Sequence, residues 1–407
     1  MLHKWIAFSC INNYYYYSFI MNSINPVILY NHIYYLLFEY LDFLDKIIYR
    51  QVCKYFFTKF QITDLSDIDF VDTYSAKLTD GILKNYTHLR KLSMCWNHLI
   101  TTLNDLTKLE TLEIFDCPNI DNHGIKHLTR LKELFIFKSP VTDLNHLTNL
   151  EVLRIGSDSL IDQNGIMGLN LRELSANNVS KIFSLNHMTR LEKLTIGGRC
   201  SIGDHGIKDL NLKYLSAGYN DNVHDINHMN QLEVLIASNG CGIDNYGIKD
   251  LNLIYLESSS NEKITSVNHM NRLKKLSILG DSGINEDELK KLKLTHLNVS
   301  YNDKITDLNY MTTLTNLNAQ DTSAIGDPGI KNLNLELLIA DSNTKIIDVN
   351  HMSNLKSLSA NGKCGIDDRG IELLYLERLY ARDNEKIHNQ FKLYFFTDDF
   401  FNIKLKY

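Results

Sequence analysis

The chain has 407 residues, 44% hydrophobic and 22% charged, with a formal net charge of −6 and a pI near 6.2. This balance argues against a nucleic-acid groove, for which a basic stripe is expected, so no nucleic-acid partner is expected. Seven cysteines are present with no C-x-x-C pair.

Residues 1–24 form an N-terminal extension. Trp5–Phe38 carries no Asp, Glu, Lys or Arg, but Asn12, Asn13, Asn22, Asn25, Asn31 and Pro26 interrupt it. No run reaches the ~20 apolar residues of a membrane span. Met1–Cys10 lacks the charge and cleavage pattern of a signal peptide, so no membrane partner is expected. Met21 stands as an alternative start.

Residues 25–62 read as a small helical domain. Within Val27–Phe60, 23 of 34 residues are apolar or aromatic. Ile33, Leu37, Leu41 and Leu44, then Ile48, Val52 and Phe56, recur at helical spacing. So much apolar surface on short helices suits either a partner or a cap over the first turn of a solenoid. Periodicity does not choose between them.

From residue 63 to 390 the chain repeats itself. Gly124-Ile125, Gly165-Ile166, Gly206-Ile207, Gly247-Ile248, Gly329-Ile330 and Gly370-Ile371 fall on multiples of 41, with Glu288-Leu289 filling the missing place. The heptapeptide GIKDLNL occurs twice, 41 residues apart. Each period holds two units of 20 or 21 residues, marked by Leu-x-x-Leu-x-apolar from Leu89 to Leu376, 15 units in all. Leu65-x-x-Ile68-x-Phe70 reads as a degenerate sixteenth. The spacing and signature resemble leucine-rich repeats. Positions 1, 4 and 6 of each unit face the core, and positions 3, 5 and 7 lie outward on a short strand. One turn cannot bury its own apolar side, so turns stack and their strands form a parallel sheet. The expected fold class is α/β: a horseshoe solenoid with the sheet on its concave face, preceded by the small helical domain.

Several ladders arise from this register. Asn97, Asn220, Asn261, Asn302, Asn343 and Asn384 at position 9 are expected to satisfy backbone groups of neighbouring turns. The repeated glycine is expected to permit a tight turn into the convex segment. Cys200 and Cys241 lie two turns apart, about 10 Å, beyond the ~7 Å reach of a disulfide, which suits reduced, intracellular thiols. The same spacing separates His146, His187, His228 and His269, with His351 further on, and rules out one shared metal ion. The strand serines Ser175, Ser216, Ser277 and Ser359 have no matching base, and no G-x-S-x-G, phosphate loop or HExxH occurs. We therefore expect no enzyme, metal or cofactor.

A partner is expected on the outward strand positions. The early turns offer Trp96, Phe115, Phe135 and Phe137, and the middle turns Tyr214, Tyr219, Tyr255 and Tyr301 among Ser, Gly and Asn. The early cluster equally suits packing against the N-terminal domain. Residues 391–407, with six Phe or Tyr before the last residue, are expected to cap the last turn.

The segment LYNHIYYLLFEYLDFLDKIIYRQVCKYF (Leu29–Phe56) resembles an F-box. Leu29 and Ile33 match the opening of that pattern, Leu37 to Leu41 its middle, Asp45 its aspartate and Val52-Cys53-Lys54 its closing triplet. Phe56 stands where Trp is usual, and Tyr30, His32 and Lys46 depart from the pattern. The turn Leu109–Leu128, with Cys117 at position 9, is similar to the cysteine-containing repeat of F-box/leucine-rich repeat proteins. The combination resembles those encoded by giant DNA viruses of protists. The resemblance implies a substrate receptor of an SCF-type ubiquitin ligase. Leu29, Ile33, Leu37, Leu41, Val52, Cys53 and Phe56 would then bind a Skp1-like adaptor within a cullin complex. The repeats would hold a protein target, in the cytoplasm, or the host's if the chain is viral.

Overall fold

Alternate residues of an extended chain point to opposite faces, so each Leu-x-x-Leu-x-apolar phrase yields a strand with one leucine-lined face. The computed structural model describes residues 62–66 and 77–388, and the chain divides into two compact units, Met1–Leu150 and Glu151–Tyr407. The segments 25–61 and 391–407, and with them the helical domain and the capping tail, lie outside the described residues.

In the first unit, β1 (Asp64–Leu65), β2 (Lys91–Cys95), β3 (Thr111–Phe115) and β4 (Glu133–Phe137) pair in parallel, each with the next. Leu92, Leu112 and Leu134 stand in register and are wholly buried. One helical turn, α1 (Asp80–Leu83), precedes β2, with the Thr79 hydroxyl accepting from the Ile82 amide. The degenerate turn is present in a different register from the one expected. Leu65 is the Cα partner of Leu92, so it occupies position 4 and the buried Ile62 takes position 1. Both Ile62-x-x-Leu65 and Leu65-x-x-Ile68 fit the phrase, and only strand pairing separates them.

In the second unit, β5 (Val152–Ile155), β6 (Glu173–Ser175), β7 (Lys193–Thr195), β8 (Tyr214–Ser216), β9 (Val234–Ile236), β10 (Tyr255–Glu257), β11 (Lys275–Ser277) and β12 (His296–Asn298) pair successively in parallel. The pattern continues to β16 (Arg378–Tyr380). Their central leucines, from Leu153 to Leu358, are wholly buried. Each unit is thus a parallel-sheet solenoid of the leucine-rich-repeat type. Truncating one such leucine to alanine typically costs about 2–5 kcal/mol.

The turns are tied by side chains reaching one turn back. Asn261 Nδ2 donates to the carbonyls of Ala237 (2.8 Å) and Ile243 (3.2 Å), while its Oδ1 accepts from Lys263 N (2.9 Å). Asn220, Asn343 and Asn384 repeat that pattern. The repeated histidines do equivalent work at the surface. Nε2 of His146, His187, His228, His269 and His351 lies 3.0–3.3 Å from the carbonyl oxygen of the isoleucine 21 residues before it.

The repeated glycine has a different cause from the one expected. Gly206, Gly247 and Gly329 have no positive φ. A Cβ on each would collide with a carbonyl oxygen of the preceding turn, that of Phe183, His224 or Thr306. The requirement is close backbone approach, not turn conformation. Where Glu288 replaces the glycine, its carboxylate instead accepts from the amides of Val267 (2.9 Å) and Asn268 (3.2 Å) and from the Ser266 hydroxyl (3.1 Å).

The left-handed conformation falls beyond the strand, at position 8: one residue past β2, β3 and β4, and three residues past the shorter strands from β6 onward. Trp96, Asp116, Lys138, Asn178, Gly198, Tyr219, Asn239, Ser260, Gly280 and Tyr301 all have φ between 47° and 70°, and Asp321, Ser342, Gly362 and Asp383 continue the series. No β-branched residue occupies it, as the steric cost of that region requires.

Candidate protein-binding surface

In the first unit, the strand pleat puts Glu113 and Phe115 of β3, and Phe135 and Phe137 of β4, on the face away from the leucines, all half-buried. Phe115 and Phe137 are Cα partners, with ring centroids 5.7 Å apart and planes inclined by 39°. Trp96 meets Phe115 edge-on, at 6.2 Å and 87°. Such pairs add about 0.5–1.5 kcal/mol beyond their buried area. The structure therefore brings Trp96, Phe115 and Phe137 into one continuous row, with Phe135 on the same strand face. Trp96 differs from expectation in one respect. It lies past the end of β2 in the left-handed position (φ 52°), its N–H donating to the Phe115 carbonyl at 2.8 Å, and it is 48% exposed.

In the second unit, the expected tyrosines separate into two kinds. Tyr219 and Tyr301 sit at position 8, and both are exposed. Tyr214 and Tyr255 sit at position 3, in a row of Cα partners running Tyr214, Val234, Tyr255, Lys275, His296 across β8 to β12. Tyr214 is half-buried. Tyr255 is buried rather than presented, only 6% exposed, with its hydroxyl 3.1 Å from Glu257 Oε2. Strand spacing is the reason: side chains at position 3 of adjacent turns stand about 4.8 Å apart, and a ring there is shielded by its neighbours, whereas position 8 lies beyond the strand.

Sequence reasoning missed Lys275 and His296 in this row, and Glu257 two residues beyond Tyr255 on the same strand face. The available signal was Glu257 at position 5, where eight of the fifteen turns place Ser, Thr or Asn, next to the titratable run Tyr255, Lys275, His296 at position 3. Burial pushes the Glu257 carboxyl above its ordinary range and the Tyr214 and Tyr255 phenols above theirs. Burial also lowers the Lys275 ammonium. His296 is held down to about 4 by burial and by the Lys275 charge, and its Nδ1 lies 2.9 Å from the Thr295 hydroxyl. The common direction is toward neutral forms, the signature of desolvation. The residues assigned to the adaptor, Leu29, Ile33, Leu37, Leu41, Val52, Cys53 and Phe56, lie outside the described residues.

No protein-family model matches the chain, and no curated protein matches it. Solved structures similar to it include three bacterial proteins. The functional domain of InlJ from Listeria monocytogenes is 22% identical over 70% of this chain, with a TM-score of 0.40. The match spans 65% of that domain, just under two thirds of its length. The internalin InlF of the same organism is 20% identical over 75% of this chain and 87% of its own, with a TM-score of 0.36. A leucine-rich repeat protein of Leptospira interrogans is 15% identical over 74% of this chain and 92% of its own, also at 0.36.

Proposed function

We propose that the chain is a substrate receptor of an SCF-type ubiquitin ligase, with Leu29–Phe56 gripping a Skp1-like adaptor and the solenoid holding a protein target in the cytoplasm. The observation that carries this reading is the gap-free correspondence of Leu29–Phe56 to the F-box pattern directly ahead of the repeats. The stacked aromatics of the first unit support it, since surface aromatic rings are the commonest anchors of protein interfaces. Repeats of this kind recognise by shape, so the reading implies binding without chemistry on the target.

Capture of a Skp1-like adaptor by the full chain tests it. Changing Leu37 and Val52 to Asp should abolish capture, because a carboxylate buried in an apolar interface is strongly unfavourable, while the solenoid unfolds as before. Absence of capture by the unmodified chain, or capture unchanged in the double variant, overturns the ligase link. Loss of the solenoid's cooperative unfolding in that variant would make Leu29–Phe56 a cap on the repeats, the reading of a scaffold without a ligase.

A further inference from the structure

Two adjacent turns of the second unit have no side chain at position 7. Gly197 and Gly218 stand where β3 and β4 carry Phe115 and Phe137, and a depression of about 600 Å³ opens over them. Its volume falls within the roughly 300–1,000 Å³ of small-ligand sites. At Gly197 the fold itself needs glycine, since a Cβ there would come 2.8 Å from the Gly218 carbonyl oxygen, whereas one on Gly218 would meet only the Ser238 hydroxyl, 2.9 Å away, which can turn aside. Any larger residue at either place would fill the depression.

The walls are polar and rich in donors. Asn177 Oδ1 accepts from Gly197 N at 2.6 Å, and Asn178 Oδ1 accepts from Arg199 N at 3.0 Å. These bonds fix both amides with the oxygen engaged, leaving each NH₂ as the donor available to a ligand. Arg199 lines the same wall, and its guanidinium has no ion-pair partner among the described residues. The exposed ring of Tyr219 stands at the rim. No Asp or Glu lines the depression, although the chain as a whole is acidic.

We infer that this depression binds a carboxylate carried by an extended segment of a partner protein, with Arg199 as its counter-ion, the Asn177 and Asn178 amides as neutral donors, and the two glycines giving the segment's backbone room to lie against the sheet. Arginine paired with fixed amide donors is the arrangement that charge-assisted recognition of a carboxylate requires. The inference rests on the reading that the repeats hold a protein, and it is independent of adaptor capture.

Titration calorimetry on the full chain tests it with four probes. They are a doubly blocked pentapeptide with one central glutamate, its glutamine counterpart, an all-glycine pentapeptide with a free C-terminal carboxylate, and maltotriose. The glutamate peptide should bind with a Kd near or below about 1 mM, and the glutamine peptide about tenfold more weakly. Tighter binding by the free-ended glycine peptide would place a chain terminus, not a side chain, in the site. Arg199→Gln should cost about tenfold and remove the weakening by added salt. Gly218→Leu should abolish binding, with Ser238 rotating away to keep the fold, as circular dichroism would verify. Arg199, on the surface, can be changed without threatening the fold, so the test stands even if Gly218→Leu fails to fold. Equal binding of the glutamate and glutamine peptides, no effect of Arg199→Gln, response to maltotriose alone, or no response to any probe overturns the inference. Adaptor capture by the Arg199→Gln protein should be unchanged, which separates this result from a failure of the ligase reading.

Discussion

Phe115 and Phe137 are Cα partners on neighbouring strands, with ring centroids 5.7 Å apart. Both project from the face opposite the leucine core, so the row they form with Trp96 is extra to what holds the turn closed. Replacing Phe135 and Phe137 together with Ser should weaken capture of a bound target by about 2–4 kcal/mol. Adaptor capture should persist, and the unfolding midpoint should change little. A large fall in stability with target binding intact would make the aromatic row a packing surface.

Asn261 works in the opposite sense. Its amide serves three backbone groups, the carbonyls of Ala237 and Ile243 and the amide of Lys263, and it is wholly buried. Asn261→Leu orphans all three, and we expect a loss of about 3 kcal/mol in denaturant unfolding, with no direct effect at the Phe115 row.

The glycine ladder and its one exception make a paired prediction. Gly247→Ala drives a methyl into the His224 carbonyl, which only backbone movement can relieve, and should destabilise by about 2–3 kcal/mol. Glu288→Gly should also destabilise, by about 1–2 kcal/mol, because the carboxylate that caps Val267 and Asn268 is lost. A stabilising Glu288→Gly would show that the carboxylate contributes nothing beyond filling the place.

His296 supplies a pH signature. Its folded pKa, about 4, lies below the unfolded value of about 6.5, so the unfolded chain binds the proton more readily. Stability should therefore fall as pH drops from about 6.5 to about 4. Denaturant unfolding of the protein and of His296→Phe, compared across that window, should show the extra loss only where the imidazole is present. At pH 7 and above the pH slopes should coincide.

The sequence by itself determined the solenoid. A 41-residue double period with Leu-x-x-Leu-x-apolar in each half admits one solution, because a unit of 20 or 21 residues cannot bury its leucines alone and identical neighbours stack in register. The asparagine ladder was legible for the same reason: a polar residue copied at a core position has to find backbone partners. The F-box-like segment was legible only as a resemblance. What the tertiary structure decided was everything that depends on the next turn rather than on the turn itself. The register of the first strand came from the pairing of Leu65 with Leu92, since two overlapping phrases fit the pattern equally. The glycines of the repeat proved to answer to a carbonyl 23 residues away, a distance no local rule reaches. Tyr255 and Tyr219 read alike as outward aromatics, yet one is buried in a row across five strands and the other stands exposed three residues past the end of β8. Side-chain periodicity along one strand specifies a face; exposure on that face is set by the side chains of adjacent strands, which lie about 20 residues away in sequence and 4.8 Å away in space.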